Sequence, residues 1–199
     1  MRRRTLILGI LAVSLVTAGR PAAAASAGPF VKRLADQVLA IFNDSRLTFP
    51  EREQRMRDLT VRDFDVPYSA RFALGRYWLQ ATDGERTEFT KAFERYIVHV
   101  YAMQFDLYHD VDFKVLSERS ETPTISVVHS QIVRHNGRPP ITVDWRVATD
   151  GNVQKIRDVS VEGISQLLCQ RDQFAALLTR EEGGVAMLTR RLGDMTTAR

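Results

Sequence analysis

The sequence predicts an α+β domain in which helices pack on a four-stranded antiparallel sheet. Three observations lead there. Apolar residues recur at helical spacing through the first half, the apolar period changes to two after Asp112, and helical spacing returns beyond Gly163. The period-two segments are consecutive and joined by short links, which makes an antiparallel meander.

The chain opens MRRRTLILGILAVSLVTAGRPAAAASAGPF. Arg2 to Arg4 precede an apolar run from Leu6 to Ala18 and then small residues, the order of a secretory signal peptide with cleavage near Ala23 to Ala27. The run is shorter than the roughly 20 apolar residues of a membrane span. The reading is therefore a signal peptide at residues 1–25 and a single exported domain at 26–199. Those first 25 residues hold four of the 28 Lys and Arg and none of the 24 Asp and Glu, so the remainder is balanced. The sequence pI of about 9.5 comes from the leader, and no argument for nucleic-acid binding survives its removal.

The first helix is predicted from Phe30, Leu34, Val38, Ile41 and Phe42, with Pro29 placed for its first turn. A second follows Pro50 with a thin apolar face of Met56 and Leu59. Tyr68 to Tyr77 reads as one short helix, and Thr82 with Glu85 has the capping-box spacing that starts a longer one. That helix carries Phe89, Phe93, Tyr96, Ile97 and Val100 on one face. It adds Val98, Tyr101, Met103 and Phe105 around the rest. Either it is a central core helix, or one face meets the core and another lines an apolar cavity, and periodicity leaves both open.

Strands are predicted at Phe113 to Leu116, Thr124 to Val133, Ile141 to Val147 and Val153 to Val161, with turn chemistry at Asn136-Gly137 and Asp150-Gly151-Asn152. Ile141, Val143, Trp145 and Val147 share one face of the third strand, and Thr142, Asp144 and Arg146 share the other. Two closing helices are predicted at Ile164 to Glu182 and Val185 to Leu192, split by Gly183-Gly184. The first sets Ile164, Leu167, Leu168, Phe174, Ala175 and Leu178 in a stripe with Arg171 near its centre. A guanidinium there needs a carboxylate such as Asp158 or Glu162, or an anionic ligand.

Little else carries chemistry. GISQL at Gly163 lacks the second glycine of a nucleophile elbow, and its serine reads as a helix N-cap. His99, His109, His129 and His135 lack metal-ligand spacing, and no phosphate-cradling glycine loop is present. Cys169 is the sole cysteine and reads as a small core residue. The enzyme alternative is a small cavity enzyme, isomerase or hydrolase-like, in which His129 works with Asp158 or Asp144. Strand parity weakens it, since both carboxylates alternate against apolar neighbours.

The stretches RFALGRYW (71–78), ERTEFTKAFERYIVHVYA (85–102), ITVDWRV (141–147) and IRDVSVEGISQLLCQRDQFAALLTREEGGVAMLTRRL (156–192) resemble, in this order, MlaC-type periplasmic lipid-binding proteins, the toluene-tolerance auxiliary family. The resemblance spans nearly the whole chain after the leader. FDVPYSARFALGRYW and QRDQF look closer to its hopanoid-associated branch. It implies a fold like that of nuclear transport factor, an apolar cavity between helices and sheet, and no catalysis, metal or cofactor. It further implies a phospholipid or hopanoid ligand carried between an outer-membrane lipoprotein complex and an inner-membrane ABC transporter complex. On that resemblance the lipid-contacting residues are Trp78, Phe93, Ile97, Tyr101, Phe105, Val143, Trp145, Val159, Val161, Leu168 and Arg171.

Overall fold

A computed structural model describes residues 26–104 and 110–197, so the signal-peptide segment, Phe105 and His109 lie outside the described residues. Helices α1 (Ala27–Asn43), α2 (Phe49–Asp63), α3 (Val66–Leu74), α4 (Tyr77–Gln80) and α5 (Asp83–Ala102) come first. Strands β1 (Val111–Thr122), β2 (Ile125–Arg134), β3 (Ile141–Asp150), β4 (Val153–Val161) and β5 (Ile164–Ser165) follow, then α6 (Gln166–Arg180) and α7 (Gly184–Thr197). Among the described residues no helix is long and apolar enough to cross a membrane.

The sheet is an antiparallel meander in the order β1-β2-β3-β4-β5. It has five strands, one more than predicted. Glu162 and Gly163 both take positive φ, as a two-residue type I′ turn requires, and fold Ile164 back onto Val161 and Ser165 onto Ser160. Two residues are too few to show a period, so Ile164 was legible only as the first turn of the next helix. That helix begins at Gln166, and Ser165 Oγ accepts from the Leu168 amide at 3.0 Å as its N-cap. The segment predicted as one helix from Tyr68 is two, α3 and α4, because Gly75 at φ 59° ends the first.

Local signals explain the other starts. Thr82 and Glu85 close a reciprocal capping box at α5, and Thr48 N donates to Glu51 Oε2 at 2.8 Å ahead of α2. The start of α1 is held from far along the chain: Glu118 on β1 accepts from the amides of Ala27 (3.0 Å) and Gly28 (2.9 Å). A carboxylate there satisfies amides that have no partner inside the helix and faces its positive end.

Two apolar clusters result. One joins Phe30, Val31, Leu34 and Phe42 of α1 and Met56 and Leu59 of α2 to Val98 and Ala102 of α5 and to Phe113, Val128, Val147 and Ile156 of the sheet. The other joins α3, α5, α6 and α7 around Phe89, Phe93, Phe174, Leu188 and Leu192. Phe64 and Tyr101 pack against both clusters.

Candidate functional site

The floor of the candidate site is set by strand pairing. Val143 lies opposite Val161, and Trp145 opposite Val159, so four apolar side chains stand together on the inner face of β3 and β4. Ile132 on β2 extends the floor, because Ser130 pairs with Val143 and Ile132 with Ile141. Above it α1 presents Leu34, Ala35, Val38, Leu39 and Phe42, and α2 presents Met56, Leu59 and Thr60. Phe64, Tyr101, Gln104, Phe113 and Gln166 complete the walls of a pocket of about 250 Å3.

The wall offers little polarity. The Trp145 indole N–H donates to Ser130 Oγ at 2.9 Å, and Ser130 Oγ donates to the Val143 carbonyl at 2.7 Å, which leaves the ring apolar toward the pocket. Thr60 Oγ1 donates to the Met56 carbonyl at 2.8 Å. Burial first, then the nearby Asp158 carboxylate and Tyr96, push the Tyr101 hydroxyl up to about 12, so it stays neutral. Gln104 and Gln166 are the amide side chains in the wall. An apolar chain fits such a lining, whereas a charged substrate finds no counter-ion in it.

Beyond Phe64 and Tyr101 lies a smaller space of about 30 Å3, bounded by Phe93, Ile97, Leu167 and Gln170 among others. Phe64 is fixed there by main-chain contacts: it bridges Ile156, and the Asp65 amide donates to the Ile156 carbonyl at 2.8 Å.

Of the residues singled out from sequence, the structure gathers Tyr101, Val143, Trp145, Val159 and Val161 in the main pocket. Phe93 and Ile97 sit in the helical cluster and reach only the smaller space. Trp78 and Arg171 line a separate surface groove, and Leu168 is 48% exposed and outside the pocket wall. The α5 question resolves along its length, with Phe89, Phe93 and Ile97 on one cluster, Val98 and Ala102 on the other, and Tyr101 at the pocket. The α1 wall was not singled out. Its signal was the width of the stripe, since Leu34, Ala35, Val38, Leu39 and Phe42 add a second face beside Phe30 and Ile41.

Neither expected ion pair of Arg171 forms. Ile164 lies in β5, so the buried face of α6 is Leu167, Phe174 and Leu178, and Arg171 falls at its edge, exposed, with its guanidinium 5.2 Å from the centre of the Phe72 ring. Glu162 accepts from the Thr142 amide and hydroxyl. Asp158 accepts from Ser165 Oγ at 2.6 Å and from the Leu167 amide at 3.2 Å. Parity aimed Asp158 away from the helices. A bulge overrides it: Arg146 pairs with Asp158 but Val147 with Ile156, and the extra residue re-aims the carboxylate under α6. His129 and Asp144 do pair, across β2 and β3, but each is about two-fifths exposed and on the face opposite Val143 and Trp145. Among the described residues no cluster of His, Cys, Asp and Glu could hold a metal ion.

Residues 32–194 match the family of the MlaC protein. Among solved structures the chain is similar to the phospholipid-binding protein from Ralstonia solanacearum, solved in complex with a phospholipid. The two share 25% identity with a TM-score of 0.73, over 87% of this chain and 98% of that one.

Proposed function

The chain belongs to the MlaC family, and on that premise we propose that it is a periplasmic carrier of phospholipid. In this reading residues 1–25 direct export, residues 26–199 form one lipid-binding domain, and the pocket between α1, α2 and the sheet takes the acyl chains. The observation that carries the proposal is the apolar pocket itself, whose few polar groups are neutral or already hydrogen-bonded. A chain of about 16 carbons left in water costs roughly 13 kcal/mol at about 0.8 kcal/mol per methylene. A carrier must hide that surface, and a wall with no charge lets it do so without desolvating an ion. The similar Ralstonia solanacearum protein, which binds a phospholipid, supports the choice of ligand.

The same pocket speaks against turnover. Of the two carboxylates that could serve His129, Asp144 pairs with it on the solvent side of the sheet, and Asp158 is occupied at the start of α6. An inner-membrane ABC transporter complex and an outer-membrane lipoprotein complex are the two partners between which this reading moves the lipid. Mass spectrometry of lipid extracted from the purified protein tests it: about one phospholipid per chain is expected, and an isoprenoid extract would place the ligand in the hopanoid class. A lipid-free protein that converts a small substrate would sink the carrier.

A further inference from the structure

Outside the main pocket, α3, α4 and α6 meet in a groove lined by Tyr68, Phe72, Trp78, Leu79, Arg71 and Arg171. Arginines lie on the rings that line it, Arg171 over Phe72 at 5.2 Å, Arg157 over Tyr68 at 4.5 Å and Arg86 over Trp78 at 5.7 Å, and next to the lining residue Gly75, Arg76 lies over Tyr77 at 5.1 Å. Two are neutralised, Arg157 by Asp65 and Arg86 by Asp83, each at 2.9 Å. Among the described residues Arg71, Arg76 and Arg171 pair with no carboxylate. Gly75 keeps the groove open for one of them, because a Cβ there would stand 3.1 Å from Arg171 Nε. In the same patch Leu79 is 76% exposed, the largest exposure among the described large hydrophobic residues.

We propose that this face docks the protein on the anionic surface of a phospholipid membrane. Three unpaired guanidiniums complement the charge of anionic head groups, and Trp78 and Leu79 supply the aromatic and aliphatic groups that enter the head-group layer. Arg76 and Arg171 each lie over their own ring, so the cations are spread, which suits a field of phosphates better than one acidic loop. Arg171 thus meets a phosphate outside the molecule, not at the mouth of the lipid pocket. The inference deepens the carrier reading by giving the carrier a side that faces the bilayer.

The test is co-sedimentation of the exported, purified protein with vesicles of mixed phosphatidylglycerol and phosphatidylcholine, set against phosphatidylcholine alone. Binding should require phosphatidylglycerol and fall with added salt. Combining Arg71→Gln, Arg76→Gln and Arg171→Gln should weaken it on the order of a hundredfold, with melting and extracted lipid unchanged. Lysine at the same three positions should restore it, and Leu79→Ser should weaken it without altering the salt dependence. Equal binding to both vesicle types, or a glutamine variant that sediments like the parent, overturns the proposal. So does binding to a soluble acidic polypeptide with none to vesicles, which assigns the face to a protein partner. Extracted lipid without vesicle binding removes this docking face alone, and vesicle binding without extracted lipid removes the carrier reading alone.

Discussion

In the helical half, Phe174 meets Phe89 and Phe93 edge-on, at 6.0 and 6.2 Å, and all three rings are closed in by α3, α5, α6 and α7. In the sheet half, Phe113 meets Trp145 edge-on at the same 6.0 Å, yet both rings border open space. The two regions use similar residues and similar ring geometry, and they differ in what stands opposite. Helices set against helices bring large side chains into each other's grooves. Here α1 and α2 cross a floor of Val143, Val159 and Val161, and α1 answers it with Ala35 and Val38. Around these, Leu34, Leu39, Phe42, Phe113 and Trp145 ring the space without filling it. An apolar half can therefore be stable without being full, provided the rest of the molecule is.

The sharpest way to break this contrast is to empty the full half. Phe174→Ala should destabilise the fold by about 3 to 5 kcal/mol, read by chemical denaturation, because Phe174 is 2% exposed and its neighbours are held by three other helices. Extracted lipid per folded molecule should stay unchanged. A loss of lipid from folded protein would mean that the two halves are not separable.

The border between the halves gives the next effect. Tyr101 packs on both clusters, and its hydroxyl is pushed up to about 12, first by burial and then by Asp158 and Tyr96. The folded chain holds a proton that the unfolded chain releases near pH 10. Stability from this group is whole below pH 10 and declines by roughly 3 kcal/mol as pH rises from 10 to about 12. Unfolding free energies across that window should fall in the parent and fall less in Tyr101→Phe. Parallel curves would refute the assignment.

Filling the hollow half should do the reverse of emptying the full one. Val161→Trp adds a ring where the pocket has room, so the loss of stability should stay below about 1 kcal/mol in place of the 1 to 3 of an overpacked core. Extracted lipid should drop severalfold. A folded variant that keeps its lipid would move the ligand out of this pocket.

Arg171→Met lies outside both clusters and should change stability by less than about 1 kcal/mol, the range of an exposed cation–π contact. A loss of 3 kcal/mol in thermal or chemical unfolding would restore a buried ion pair.

The contrast also separates what sequence could reveal from what it could not. The floor of the pocket was legible, because period-two alternation alone puts Val143 with Trp145 and Val159 with Val161. Its roof was harder, since a helix stripe wide enough for core and pocket looks the same as one wide enough for core alone, as on α1. Single-residue events escaped altogether. The bulge that turns Asp158 toward Ser165, the two-residue strand at Ile164 and the break at Gly75 each depend on backbone that no period reports. Arg171 was misplaced for that reason: with Ile164 removed from the helix, the centre of the stripe moves toward Leu167, Phe174 and Leu178.

The hold of Glu118 on the first turn of α1 sets an order in time. The amides of Ala27 and Gly28 are made early and wait some 90 residues for their acceptor. A chain that emerges from its amino end can form α1 as a helix, yet cannot fasten it until β1 has followed. The part of the roof that α1 supplies is therefore made well before β1 and is secured only once that strand has followed. Until then the apolar side of α1 is bare, and whatever attends the emerging chain has to shield it.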